Sequence, residues 1–102
     1  PSVFQYTSEV FPERYLEAAK FLGVETDKFT PVEAGEAVSR KIIDLMLKTG
    51  MPNGLSGVGF SSEDLPDLTK SAIRQKRAIA KVPRESNETD IFNIYQNADS
   101  YW

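Results

Sequence analysis

The stretch from Thr30 to Pro52 constrains the fold most, because it reads as a helix at both ends and along its length. Thr30-Pro31-Val32-Glu33 has the spacing of a capping box: the Thr hydroxyl can accept the amide three residues on, and the Glu side chain can return to the cap amide. Gly35, Val38, Ile42, Leu45 and Met46 then recur at the helical period, flanked by Ala34, Ala37 and Ile43. On the other side Glu36–Arg40 and Asp44–Lys48 stand four apart, pairs worth under about 1 kcal/mol together. Gly50 and Pro52 stop the helix near Thr49. An apolar stripe of this kind must bury against something, so the other segments decide the fold class.

None of them alternates like a strand. Residues 12–22 form a short helix, with Pro12 at its first position, Glu13 at its positive end and Gly23 just past its close. Tyr15, Leu16, Ala19 and Leu22 share one of its faces. Residues 50–60 are a turn-rich connector. Ser61-Ser62-Glu63-Asp64 starts another helix with a Ser cap and acids in the first turn. Pro66 predicts a distorted first turn there, and the helix runs to about Arg74 or Gln75, burying Leu65, Leu68, Ala72 and Ile73. Residues 75–86 are basic and irregular. A last helix begins at Asn87, pairs with Asp90, and buries Ile91, Ile94 and Tyr95. Residues 1–11 read as an extended lead-in or the tail of a helix begun earlier. The expected fold is therefore all-α, four to five helices, in one helical domain or subdomain over residues 1–102.

Composition removes whole classes of function. There is no histidine and no cysteine. This excludes disulfides and thiolate catalysis, and removes the commonest general base and the commonest catalytic-metal ligand. The 12 basic and 15 acidic residues are scattered, with net charge −3. No basic stripe matches a nucleic-acid backbone, and no apolar run reaches the roughly 20 residues of a membrane span. The expectation is no nucleic-acid partner and no membrane partner.

The remaining candidates for chemistry have plain structural readings. Glu33 and Glu36 lie on a helix face beside Arg40 and read as solvated. Ser61, Ser62, Glu63 and Asp64 are accounted for by a helix cap. The glycines between Gly50 and Gly59 fit neither phosphate-loop spacing and serve turns. The cluster Arg74, Lys76, Arg77, Lys81 and Arg84 is the one charged region that suggests a ligand. Cations suit a helix end, but a basic loop between two helices also presents donors to a cleft. Phe4, Tyr6, Phe11, Phe21, Phe29, Phe60, Phe92, Tyr95, Tyr101 and Trp102 are many aromatics for 102 residues. They read either as core or as a face that packs on a further domain or partner.

Five motifs occur in an order that resembles a known family. They are Phe11-Pro12-Glu13-Arg14; a helix ending Leu22-Gly23; Pro52 and Leu55 ahead of Gly57-Val58-Gly59-Phe60-Ser61; Ser62-Glu63-Asp64-Leu65-Pro66-Asp67-Leu68; and Pro83-Arg84 with Asn87, Asp90, Ile91, Ile94 and Tyr95 behind it. Together they resemble the C-terminal helical part of the iron-containing alcohol dehydrogenases, of dehydroquinate synthase-like fold. Pro1-Ser2-Val3-Phe4, and Arg77 six residues before Pro83-Arg84, fit the hydroxyacid–oxoacid transhydrogenase branch. Val82 departs from the family's usual Asn, and Ala78 stands where some members carry a Cys near the nicotinamide.

The resemblance implies an N-terminal dinucleotide-binding domain on the same polypeptide, absent from this chain, with the active site in the cleft between domains. It implies Fe²⁺ or Zn²⁺ held by one Asp and three His, together with NAD(P). None of those ligands is in this chain, which is expected to hold no cofactor, to be inactive alone and to self-associate. Pro1, without an initiator Met, suits a truncated chain. The location implied is intracellular: mitochondrial for a eukaryotic transhydrogenase, otherwise cytoplasmic. Arg77, Ala78 and Lys81 are the expected substrate-cleft residues. The alternative is a stand-alone helical interaction module that kept the scaffold and lost the enzyme.

Overall fold

A computed structural model describes residues 1–102 as six α-helices with no strand. The chain divides into two compact units, Pro1–Met51 and Pro52–Trp102.

In the first unit α1 (Ser2–Ser8) and α2 (Pro12–Phe21) both pack on α3 (Ala34–Thr49). The start of the chain is thus helical rather than an extended lead-in. Its capping is weak, and tertiary contacts hold it. Thr7 Oγ1 donates to Val3 O at 2.8 Å and also meets the Tyr15 hydroxyl of α2. The Phe4 and Tyr15 rings stand edge to face, centroids 6.2 Å apart. Gly35 lets α1 approach α3 closely: a Cβ there would sit 2.3 Å from Ser8 Cβ and 1.8 Å from Ser8 Oγ.

Glu33 closes the entry to α3 in the capping box that its spacing predicts. Its Oε2 accepts the Thr30 amide at 2.8 Å and the Thr30 hydroxyl at 2.9 Å, while the Glu33 amide donates to Thr30 O at 3.0 Å. A 3₁₀ turn over Pro31–Glu33 leads into the helix. At the far end Gly50 takes the left-handed conformation at φ 69°, and Met51 N reaches back to Met46 O at 2.9 Å.

The apolar stripe of α3 is buried over half its length only. Ala34, Gly35, Ala37, Val38 and Ser39 are buried under α1 and α2, whereas Ile42, Ile43 and Met46 are half-buried and Leu45 and Leu47 are exposed. The remaining buried apolar residue of this unit is Ala19.

In the second unit α4 (Leu65–Ile73) packs against α6 (Glu88–Gln96), with Leu65 and Ile91 buried. Between them α5 (Lys76–Ile79) makes a single turn inside the segment whose sequence reads as irregular. Pro66 sits in the first turn of α4, where its missing N–H has no role, and the distortion expected there is a 3₁₀ turn over Ser62–Asp64. Asn87 and Asp90 close α6 reciprocally: Asp90 N donates to Asn87 Oδ1 at 2.9 Å and Asn87 N to Asp90 Oδ2 at 3.0 Å.

The loop at the start of this unit is fastened to the 98–102 segment. Leu55 N donates to Ala98 O at 2.9 Å and Ser56 N to Asp99 O at 3.0 Å. Gly54, at φ 64°, is admitted only because it lacks a side chain: a Cβ would stand 2.3 Å from Asp99 O.

Candidate functional site

The basic segment between α4 and α6 is the region that the sequence singles out. The four helical residues of α5 and the turn after them sort this segment into two sides. Lys76, Ile79 and Ala80 share a face by their i, i+3, i+4 spacing, and with Ile73, Ser86, Asn87 and Glu88 they line a cavity of ≈ 360 Å³. Arg77, Ala78 and Lys81 fall on the other side, and all three are exposed. These three residues are therefore open to solvent and outside the neighbouring cavity.

That cavity combines an aliphatic floor with one ammonium, one carboxylate and the first residues of α6. A second cavity, ≈ 300 Å³, lies between α4 and α6 and is lined by Pro66, Thr69, Glu88, Thr89 and Phe92. In the first unit a groove of ≈ 350 Å³ carries Glu33, Glu36, Arg40, Lys41 and Asp44 beside Phe29. Its opposite charges sit side by side, with Arg40 paired to Glu36, and compensate one another. Glu33 and Glu36 thus act as a cap and as an ion-pair partner, in keeping with their solvated reading. The Glu33 carboxyl is held below the usual carboxylate range by the Thr30 amide and then the Thr30 hydroxyl.

None of these surfaces fits a catalytic metal. There is no imidazole or thiolate in the chain, and no three carboxylates converge. Hard-cation sites built of carboxylates need several oxygens on one centre, and here Glu33 is held in a cap and Glu36 in an ion pair. No Gly-rich loop follows a strand, so nothing fits a dinucleotide pyrophosphate either.

Sequence reasoning passed over one residue that the structure places at the centre of a network. Asn53 Oδ1 accepts the Tyr101 amide at 2.6 Å and the Trp102 amide at 3.3 Å. Its Nδ2 donates to Ser100 Oγ at 3.2 Å and to the Trp102 carbonyl. The only local signal was an Asn before a Gly in a turn. Its partners lie more than forty residues away, beyond the reach of any local pattern.

Comparison with known proteins covers nearly the whole chain. The model of the Fe-containing alcohol dehydrogenase family, C-terminal, matches residues 1–99. The mitochondrial hydroxyacid-oxoacid transhydrogenase of Bos taurus is 32 % identical over 96 residues, which is 94 % of this chain and 21 % of that protein. A probable mitochondrial hydroxyacid-oxoacid transhydrogenase of Dictyostelium discoideum is 30 % identical over 98 residues, 96 % of this chain and 18 % of the relative. A crystal structure of 1,3-propanediol oxidoreductase superimposes with a TM-score of 0.85 at 26 % identity, over 96 % of this chain and 25 % of that one. The chain thus spans about a fifth of the length of the curated relatives it matches.

Proposed function

Because the chain belongs to the iron-containing alcohol dehydrogenase family, matching its C-terminal region, we propose that it serves as the distal helical part of a hydroxyacid–oxoacid transhydrogenase or dehydrogenase. The observation that carries this reading is the unbroken match of residues 1–99, together with transhydrogenase relatives about five times longer. In this reading the metal and the nicotinamide nucleotide are held by polypeptide outside these residues, because the residues present fit neither group. The contribution of this chain is then a wall of the cleft and a surface on which the nucleotide-binding domain rests.

Within that wall, Arg77 is assigned to the substrate carboxylate, with Ala78 and Lys81 beside it. A guanidinium on an exposed turn can take a carboxylate in a two-bond pair, which suits hydroxyacids and oxoacids and not simple alcohols. Loss of such a contact costs about 2 to 3 kcal/mol, or roughly 30- to 150-fold in kcat/KM. Arg77→Ala in the complete enzyme should lower turnover of a hydroxyacid by that factor and leave an uncharged alcohol nearly unaffected. Equal losses for both substrates would make Arg77 a contact between domains instead.

The function itself is tested with a chimera in which residues 1–99 replace the matching region of the Bos taurus transhydrogenase. Hydroxyacid-dependent reduction of an oxoacid is expected from the chimera, and none from the 102 residues alone. A folded, nucleotide-binding chimera without that activity would reject the assignment.

A further inference from the structure

We propose that Asn53-Gly54 is a self-modification site, a deamidating pair whose reaction is held back by the 98–102 segment and whose product releases that segment. The dipeptide supplies both reactants. The Gly54 amide nitrogen carries no neighbouring side chain to shield it, so it can attack the Asn53 side-chain carbonyl carbon. The N–Cγ bond forms as the Gly54 nitrogen gives up its proton to solvent, the Cγ–Nδ2 bond breaks, and the side-chain NH2 takes a proton from solvent and leaves as ammonia. A water molecule then opens the cyclic imide to aspartate or to isoaspartate.

The structure opposes each part of this step. The Asn53 amide is held at both ends by the Tyr101 and Trp102 amides, the Ser100 hydroxyl and the Trp102 carbonyl. The Gly54 amide is occupied by Pro52 O at 3.1 Å. Attack requires the side chain to swing off its partners, so reaction proceeds only in the fraction of molecules whose 98–102 segment has let go.

The product cannot rebuild the same clasp. A carboxylate at position 53 accepts but does not donate, so the bond to the Trp102 carbonyl is lost and that oxygen then faces a negative charge, while Ser100 Oγ keeps its contact only by turning its hydroxyl away from Trp102 O. The isoaspartate product also adds a methylene to the main chain. Leu55–Ala98 and Ser56–Asp99 can then no longer both stay in register. The change runs in one direction, from a clasped to a released segment, and it advances with the age of the molecule.

The test uses the full 102-residue chain, aged in mildly alkaline buffer, with peptide mass spectrometry at Asn53. Wild type should convert slowly. Ser100→Ala, which removes one partner, should convert about fivefold faster, and Tyr101→Pro, which removes the 2.6 Å donor, about tenfold faster. Asn53→Asp, which needs no ageing, should lose hydrogen-exchange protection at Leu55 and Ser56 while α4 and α6 stay protected. Equal conversion in wild type and Ser100→Ala would overturn the restraint. Full protection at Leu55 and Ser56 in Asn53→Asp would overturn the release.

Discussion

Ser8 and Gly35 meet so closely that neither position has room to grow. Gly35→Ala would gain about 1 kcal/mol from helix propensity, but its methyl would fall on Ser8 Cβ, which the short α1 cannot move without leaving α3. Overpacking of this kind costs about 1–3 kcal/mol, so the substitution should be destabilising in urea unfolding. Ser8→Gly in the same chain should recover most of the loss. Failure of that rescue would mean that the contact is not the cause. Two hydroxyls carry the opposite expectation. Ser39 Oγ and Thr69 Oγ1 are buried without a hydrogen-bond partner. A buried hydroxyl in that state costs stability, so Thr69→Val should raise the unfolding free energy by about 1 kcal/mol, read as a higher urea midpoint at unchanged slope. A drop instead would reveal a partner for the hydroxyl in solution.

At the level of elements, the helices that could be read from sequence open on a capping pair or, in α2, on a proline at the first position, and those that could not have neither. Thr30/Glu33, Ser61/Asp64 and Asn87/Asp90 each announce a start within four residues, and α3, α4 and α6 begin there. By contrast α1 exists because Thr7, Phe4 and Ser8 dock on α2 and α3, and α5 is a single turn held between two longer helices. Neither has a cap or a period to betray it. The same distinction governs the candidate site. The charge of Arg77 and Lys81 was visible in the sequence, but the side of α5 on which each falls depended on a turn the sequence did not show. The Thr30–Glu33 cap also predicts a pH dependence. The Glu33 pKa is lowered in the fold, so its contribution is present above the usual carboxylate range and is lost as pH falls through the lowered value. Glu33→Gln keeps a cap acceptor but cannot titrate. The stability gap between it and wild type should therefore be largest near neutral pH and close below about pH 4. A gap that persists in acid would assign the cap to geometry and not to charge.

For the molecule as a whole, the balance of buried and exposed apolar residues is unusual. Phe21 is 83 % exposed and Val32 81 %, and Leu45, Leu47, Met51 and Val58 are also open to solvent. The isolated chain should accordingly self-associate, its sedimentation mass rising with concentration, and should melt below about 65 °C, the top of the usual mesophile range. A monomer at high concentration with a sharp transition above that temperature would contradict this. The buried apolar set is correspondingly small, and half of it is alanine: Ala19, Ala34, Ala37, Val38, Leu65 and Ile91. Unfolding a monomer therefore uncovers little hydrocarbon, and the heat capacity of unfolding should fall short of the usual figure of about 12 cal/mol/K per residue. A small heat-capacity change flattens the stability curve. The chain by itself should then show a shallow maximum, a low sensitivity to urea and no sharp temperature at which it gives way.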